Sequence, residues 1–291
     1  MELSRKEKIG ALVGLAVIVC AFYSYRQNKA ASRYQLKNLD LKYESLVTGE
    51  DRKPLPPPKG QSVKIPILMY HHIGEPPPNA GQVRKDLTVS VQNFTDQVKW
   101  LRDNGYSAIH LMDIYNYSKG KFTLPKKPVV FTFDDGYDDV FQNAIPILRQ
   151  YGYTGSFAII TQYPHQQQGD NFYASWDEIA SAYSAGNEVV CHTQNHFDGS
   201  NPNYSADFIF SNLSGCQQDI KNHLGSAEPV LVYPYGHYNA NYLAQANKAG
   251  FVMGVTVHEG DILDLANLMA IPRVRVHAYT TADMLKRLLE K

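Results

Sequence analysis

From about Val63 onward, short apolar runs alternate with segments whose apolar residues recur every three or four positions. The runs at 65–70, 128–133, 154–160, 188–192, 230–233, 251–257 and 271–276 are short and bounded by turn signals, so they read as buried strands. Phe94, Val98 and Leu101 recur at helical spacing, with Ser90 as a candidate N-cap and Gly105 as a stop. Ser175 and Glu178 have the capping-box spacing and open a helix that Gly186 ends. Further helices are predicted near 207–223 and 239–249, and Thr280 with Asp283 should cap a last one. A helical segment after 128–133 is expected to break or restart at Pro146, which has no N–H to give. Strands with no polar face, separated by amphipathic helices, predict an α/β fold: a mostly parallel sheet with helices outside it. Seven or so such units can curl into a barrel, and the C-terminal ends of barrel strands converge on one mouth.

The N-terminus departs from this pattern. Residues 9–23 are an unbroken apolar run, preceded by Arg5, Lys6 and Lys8 and followed by Arg26 and Lys29. The run suits a short membrane anchor or the core of a signal segment, and without a convincing small-residue cleavage site after it, the anchor (1–25) is the expectation. Either version carries the rest of the chain out of the cytoplasm, with a weak positive-inside orientation, and a cleaved signal would make the protein secreted. Residues 26–62 are polar and then proline-rich (Pro54, Pro56, Pro57, Pro58), as expected of an extended tether, leaving 63–291 as the folded domain.

Composition adds mainly exclusions. Lys plus Arg (28) equals Asp plus Glu (28), which gives no basic surface for a nucleic-acid partner. The 20 tyrosines offer ring faces for sugars, although packing at the rim of a core is an equal reading. Cys20 lies in the apolar run without the small residue that a lipid-bearing cysteine follows. Cys191 and Cys216 could pair in an oxidising compartment, but Cys191 sits in an apolar strand and a buried free thiol is the expectation.

The chemistry lies at strand ends. Asp134 and Asp135 close the apolar run at 128–133 and precede Gly136. A strand end bends, so both carboxylates can face one site; in the plainer alternative one caps the next helix and the other lies at the surface. Glycosidase chemistry also needs two carboxylates, but they must stand at least ~5 Å apart across a sugar bond, which adjacent residues satisfy poorly. His192 and His196 follow another strand at a spacing that lets two imidazoles hold one ion. His71 and His72 end the first strand, and Tyr235 follows a further one. Ligands plus a spare carboxylate point to metal-assisted hydrolysis.

The motifs Thr132-Phe133-Asp134-Asp135-Gly136-Tyr137 and His192-Thr193-Gln194-Asn195-His196 resemble the first two motifs of the polysaccharide deacetylases, carbohydrate esterase family 4 with the NodB-homology fold. The likeness spans about 66–276. It implies a distorted (β/α)7-type barrel in which Asp135, His192 and His196 bind a divalent metal and Asp134 is the general base. Zinc is the metal the resemblance favours, with cobalt, nickel and manganese also compatible with Asp/His ligation. Leu68-Met69-Tyr70-His71-His72 and Tyr233-Pro234-Tyr235-Gly236 resemble the branch acting on poly-β-1,6-N-acetylglucosamine of biofilms. In that branch a histidine after the first strand serves as general acid, a role that falls by position on His71, with His72 and His277 in reserve. Tyr235 resembles the residue whose backbone N–H assists the oxyanion. The family's third motif carries an Arg before x-Pro-Tyr, absent here, and Arg273 or Arg275 of the last strand is the candidate substitute, alternation being expected to leave one of them facing inward.

The function these features imply is an extracytoplasmic, membrane-tethered N-deacetylase acting on N-acetylglucosamine units of a cell-surface polysaccharide. A peptidoglycan or chitin-oligomer deacetylase would use the same site with another groove. A non-catalytic glycan-binding module on the same fold is the alternative of a different class.

Overall fold

The computed structural model describes residues 62–290; the apolar run, Cys20 and nearly all of the proline-rich tether lie outside them. Eight parallel strands form the main sheet: β1 (Ile67–Tyr70), β2 (Ser107–Ala108), β3 (Pro128–Phe133), β4 (Ser156–Ile159), β5 (Glu188–Cys191), β6 (Val230–Val232), β7 (Met253–Glu259) and β8 (Ile271–Arg275). Because β1 pairs with β3 on one side and β8 on the other, β1, β3, β4, β5, β6, β7 and β8 close into a seven-stranded barrel. The distortion has a local cause. Strand β2 takes the first residues of β3 (Ser107 beside Pro128), so only Thr132 and Phe133 are left to pair with β4.

Alternation along each strand divides the apolar residues into two cores. Leu68, Tyr70, Phe131, Phe133, Phe157, Val189 and Cys191 face outward into one core shared with the surrounding helices. Ile67, Val130, Ala158, Val190, Val232, Val255 and Ile271 belong to a second core that fills the barrel. Burial on both faces explains why the strands read as continuous apolar runs rather than as alternating ones.

The helices are α1 (Val91–Asp103), α2 (Leu111–Ser118), α3 (Asp138–Gln150), α4 (Trp176–Ser184), α5 (Ala206–Leu224), α6 (Ala240–Lys248) and α7 (Ala282–Leu289), with one turn at Gln82–Asp86 in the loop after β1. Ser90 caps α1, and Ser175 with Glu178 forms the expected capping box of α4. Two expectations need correction. Pro146 lies inside a continuous α3, because it and Gln142, whose carbonyl loses its partner, are both on the solvent side where water serves. The cap of α7 is Thr281, which accepts from the Met284 N–H, whereas Thr280 accepts from the His277 N–H one turn earlier.

Strand β2 and helix α2 were not legible as elements. Helix α2 sets Leu111, Ile114 and Tyr117 into the barrel-filling core, and its first N–H groups donate to the buried Glu188 carboxylate at 3.0 and 2.9 Å. Glu188 opens β5, so a carboxylate at a helix N-terminus fixes α2 to the end of the barrel opposite the functional residues.

Candidate active site

Inward-facing parity carries three functional side chains to the mouth. Val130, Thr132 and Asp134 share one face of β3 and its extension, Val190 and His192 one face of β5, and Ile67, Met69 and His71 one face of β1. Asp135 would point outward by this rule, but its φ of 74° places it in the left-handed region, and Gly136 follows at 86°. This backbone reversal brings two adjacent carboxylates to one site.

Asp135 Oδ1 lies 3.1 Å from His192 Nε2 and 3.2 Å from His196 Nε2. His192 Nδ1 is 2.7 Å from the Val232 carbonyl oxygen, which can only accept, so Nδ1 carries the proton of the neutral ring. Its other nitrogen then presents a lone pair to a carboxylate oxygen that has no hydrogen-bond partner of its own. Two acceptors that close repel unless a cation or a proton lies with them. The three ligand atoms all lie within 4.8 Å of one another, and the two-imidazole, one-carboxylate donor set suits a divalent ion. Electrostatics agree in direction. Burial disfavours the charged forms, yet the mutual contacts outweigh it, holding Asp135 well below the usual carboxylate range and His192 above the usual imidazole value.

Asp134 is not in this cluster. Arg273, fully buried inside the barrel, grips it with a two-pronged contact: Nη1 to Oδ1 and Nη2 to Oδ2, each at 2.7 Å. The same guanidinium donates to Thr132 Oγ1 (3.0 Å) and the Thr256 carbonyl (2.8 Å), which fix its plane. Burial would raise the Asp134 pKa, but the guanidinium's charge and hydrogen bonds win and hold it below the usual range. Of the two arginines expected to stand in for the absent third-motif arginine, it is Arg273 that reaches Asp134. Residues two apart share a face of a strand, so alternation does not separate Arg273 from Arg275. Depth does: Arg273 lies inside the barrel and Arg275 at its rim.

His71 Nε2 stands 3.9 Å from Asp134 Oδ2. Burial pushes its pKa down to about 4 even though Asp134 and Asp135 pull it upward. Burial thus favours the neutral imidazole as the resting form of His71. His72 has the opposite parity. It stacks on Tyr137 with ring centroids 3.7 Å apart and places Nδ1 2.9 Å from Asp139. His277 Nδ1 is 2.9 Å from Asp86. Tyr235, 54% exposed with φ 59°, sets its ring 4.6 Å from that of His196 at the rim. Tyr137 was not foreseen as part of the site: its phenol lies against the Asp135 and Tyr173 side chains. Its place directly after Gly136 was the available signal. Trp176 stacks on His223 at 4.0 Å.

The loop bearing His192 and His196 is strained and tied down. Among the described residues, five non-glycines have positive φ, and four of them (Asp135, Thr193, His196, Tyr235) are in this site. The His196 N–H donates to Thr193 Oγ1 (2.9 Å), the Gln194 N–H to Asn212 Oδ1 (2.9 Å), and Gln194 Nε2 to Asp219 Oδ2 (2.8 Å). Asn212 and Asp219 belong to α5, and between them Cys216 forms a disulfide with Cys191, the residue before His192. The expected free thiol is thus corrected. Cys191 faces outward from β5 onto α5, where its Cα lies 6.0 Å from that of Cys216, within bridging reach.

The polysaccharide deacetylase family pattern matches residues 121–254. The Bacillus subtilis protein YxkH is 27% identical over 90% of this chain and 89% of its own. A poly-β-1,6-N-acetyl-D-glucosamine N-deacetylase of Staphylococcus aureus is 28% identical over 70% of this chain and 72% of its own. The solved Streptococcus pyogenes deacetylase PplD, in complex with acetate, superposes with a TM-score of 0.70 at 28% identity, covering 79% of this chain and 99% of that one. With the closed barrel and the convergence of both motifs on its mouth, these likenesses establish that the chain carries a polysaccharide deacetylase domain and is a hydrolase of that family.

Proposed function

We propose that the protein is a metal-dependent N-deacetylase that removes acetyl groups from N-acetylglucosamine units of a cell-surface polysaccharide of the poly-β-1,6 type. The observation that carries this reading is a buried carboxylate, Asp134, held ionised by Arg273 beside a ligand set it does not join. The name of the Staphylococcus aureus relatives supports the polymer.

Asp135, His192 and His196 would hold the ion, zinc by preference. When bound, it supplies Lewis acidity toward an amide carbonyl and lowers the pKa of water from ~15.7 toward ~7. Asp134 takes the proton of the attacking water, a role its low pKa permits because the carboxylate is ionised at neutral pH. His71, neutral at rest, receives a proton as negative charge develops on the substrate oxygen. It then delivers that proton to the departing nitrogen, with Asp134 within 3.9 Å to relay it. Tyr235 stands at the rim where its N–H assists the oxyanion. Water and the amide become acetate and a free amine on the glycan. The apolar run at 9–23 tethers this domain to the outer face of the membrane, or is removed to release it.

Acetate release from poly-β-1,6-N-acetylglucosamine, chitin oligomers and peptidoglycan, measured side by side with the zinc-loaded enzyme, tests the reading. Release should be greatest from the first polymer, and Asp134→Asn should abolish release while zinc still binds. Preferential release from either other polymer would replace the substrate assignment, and release by the variant would remove Asp134 as base.

A further inference from the structure

Next to the mouth, the end of β8 and the helix α7 border an open hollow of about 370 Å³, lined in part by Glu259, Arg275, His277, Tyr279, Met284 and Arg287. It adjoins the catalytic groups, since Arg275 lies two residues beyond Arg273 and its charge acts on His71. Arg273 is saturated by Asp134, whereas the guanidinium groups of the two arginines that line the hollow, Arg275 and Arg287, have no hydrogen bond or ion pair among the described residues. Glu259 offsets only one of them, and its carboxylate accepts from the backbone N–H of Arg275 at 3.2 Å. His277, held by Asp86, stacks on Tyr279 at 5.0 Å and 10° between planes. That contact props up a tyrosine ring 61% exposed at the lip of the hollow.

An exposed ring face beside two unpaired planar cations suits a sugar that carries an anion. Guanidinium forks match carboxylate and phosphate geometry alike, and apolar ring faces match the carbon face of a sugar. We propose that this hollow is a subsite for an anionic substituent, carboxylate or phosphate, on a sugar neighbouring the one that is deacetylated. Resting on the N-deacetylase reading above, it makes a poly-β-1,6 chain that bears anionic substituents a better substrate than the same chain without them.

The test has two arms. In the first, glucose, glucuronate and glucose 1-phosphate are titrated calorimetrically into the metal-free full-length protein and its Arg287→Gln variant, a change at an exposed position that leaves the core intact. At least one of the two anionic sugars should bind about tenfold more tightly than glucose, a difference of about 1.4 kcal/mol, and the variant should lose that preference. Which anion gains identifies the substituent. In the second arm, the zinc-loaded enzyme is given a neutral β-1,6-N-acetylglucosamine oligomer and the same oligomer bearing the preferred anion. The ratio of their kcat/KM values should exceed about five and fall toward one in the variant. Equal binding of all three sugars, or a preference untouched by Arg287→Gln, would overturn the subsite. Anion binding without acetate release from either oligomer would leave the subsite standing and sink the deacetylase reading instead.

Discussion

Arg273→Met is the most informative single change, because it removes the counter-charge of Asp134 while filling much of the same space. The structure shows two short charge-assisted hydrogen bonds lost from a carboxylate only 2% exposed. Breaking one side of a buried ion pair costs about 3–5 kcal/mol, since the remaining charge is left without compensation. At about 2–4 °C of melting temperature per kcal/mol for a domain of this size, the midpoint should fall by about 6–20 °C. The pH dependence has a definite sign. In the wild type the lowered pKa of Asp134 contributes stability above the unfolded carboxylate value, which is lost as the pH falls through the folded one. Without Arg273 burial is opposed only by the weaker pull of His71 and His192, the pKa rises, and the variant's deficit should be largest at neutral pH and shrink toward pH 4. The ascending limb of kcat/KM should move to higher pH for the same reason, since the base is now protonated where it was ionised. Thermal melts across pH, with the pH–rate profile of acetate release, read both effects. Arg273→Met/Asp134→Asn, which removes both charges, should recover part of the lost stability without recovering turnover. A variant within about 0.5 kcal/mol of wild type, or one whose rate drops evenly at every pH, would show that the guanidinium is packing and not electrostatic support.

Other consequences are equally accessible. Because burial drives His71 down to about 4, kcat/KM should show no descending limb centred near pH 6.5; such a limb, lost in His71→Asn, would mean that the resting imidazole is charged after all. Replacing Asp135, His192 or His196 by Ala should weaken zinc binding in calorimetry and remove the stabilisation the ion gives, about 4 kcal/mol at a thousandfold excess over Kd; undiminished binding by all three variants would disprove the ligand set. Reducing Cys191–Cys216, which are 25 residues apart, should cost about 3.5 kcal/mol by the loop-closure relation. Denaturant midpoints with and without reductant measure that, and equal midpoints would place the bridge outside the stabilising contacts.

The sequence carried the barrel because strands buried on both faces leave long apolar runs, and Ser90, Ser175 and Glu178 announced their helices by capping chemistry. It failed where tertiary contact decides. Strand β2 is two residues long and exists only because β3 has a free edge there, and α2 is held by Glu188 from 76 or 77 positions away. The candidate ligand residues were visible as motifs, yet the choice between His71 and His72 was also available from parity along β1. The role of Arg273 could be suspected from a missing charge, but its fork on Asp134 required the barrel to close. The disulfide was masked because Cys191 looks like core from its neighbours, and only the position of α5 shows what it faces.

The left-handed backbone at Asp135, Thr193, His196 and Tyr235 sets a limit on how this protein can drift. Residues with a Cβ in such conformations carry a penalty of order 1–3 kcal/mol each, which glycine would largely escape. Laboratory evolution that rewards heat resistance alone should therefore erode the mouth first, collecting glycine or asparagine at these four positions while the strands stay unchanged. Persistence of the native residues through such a selection would mark the penalty as already offset within the fold.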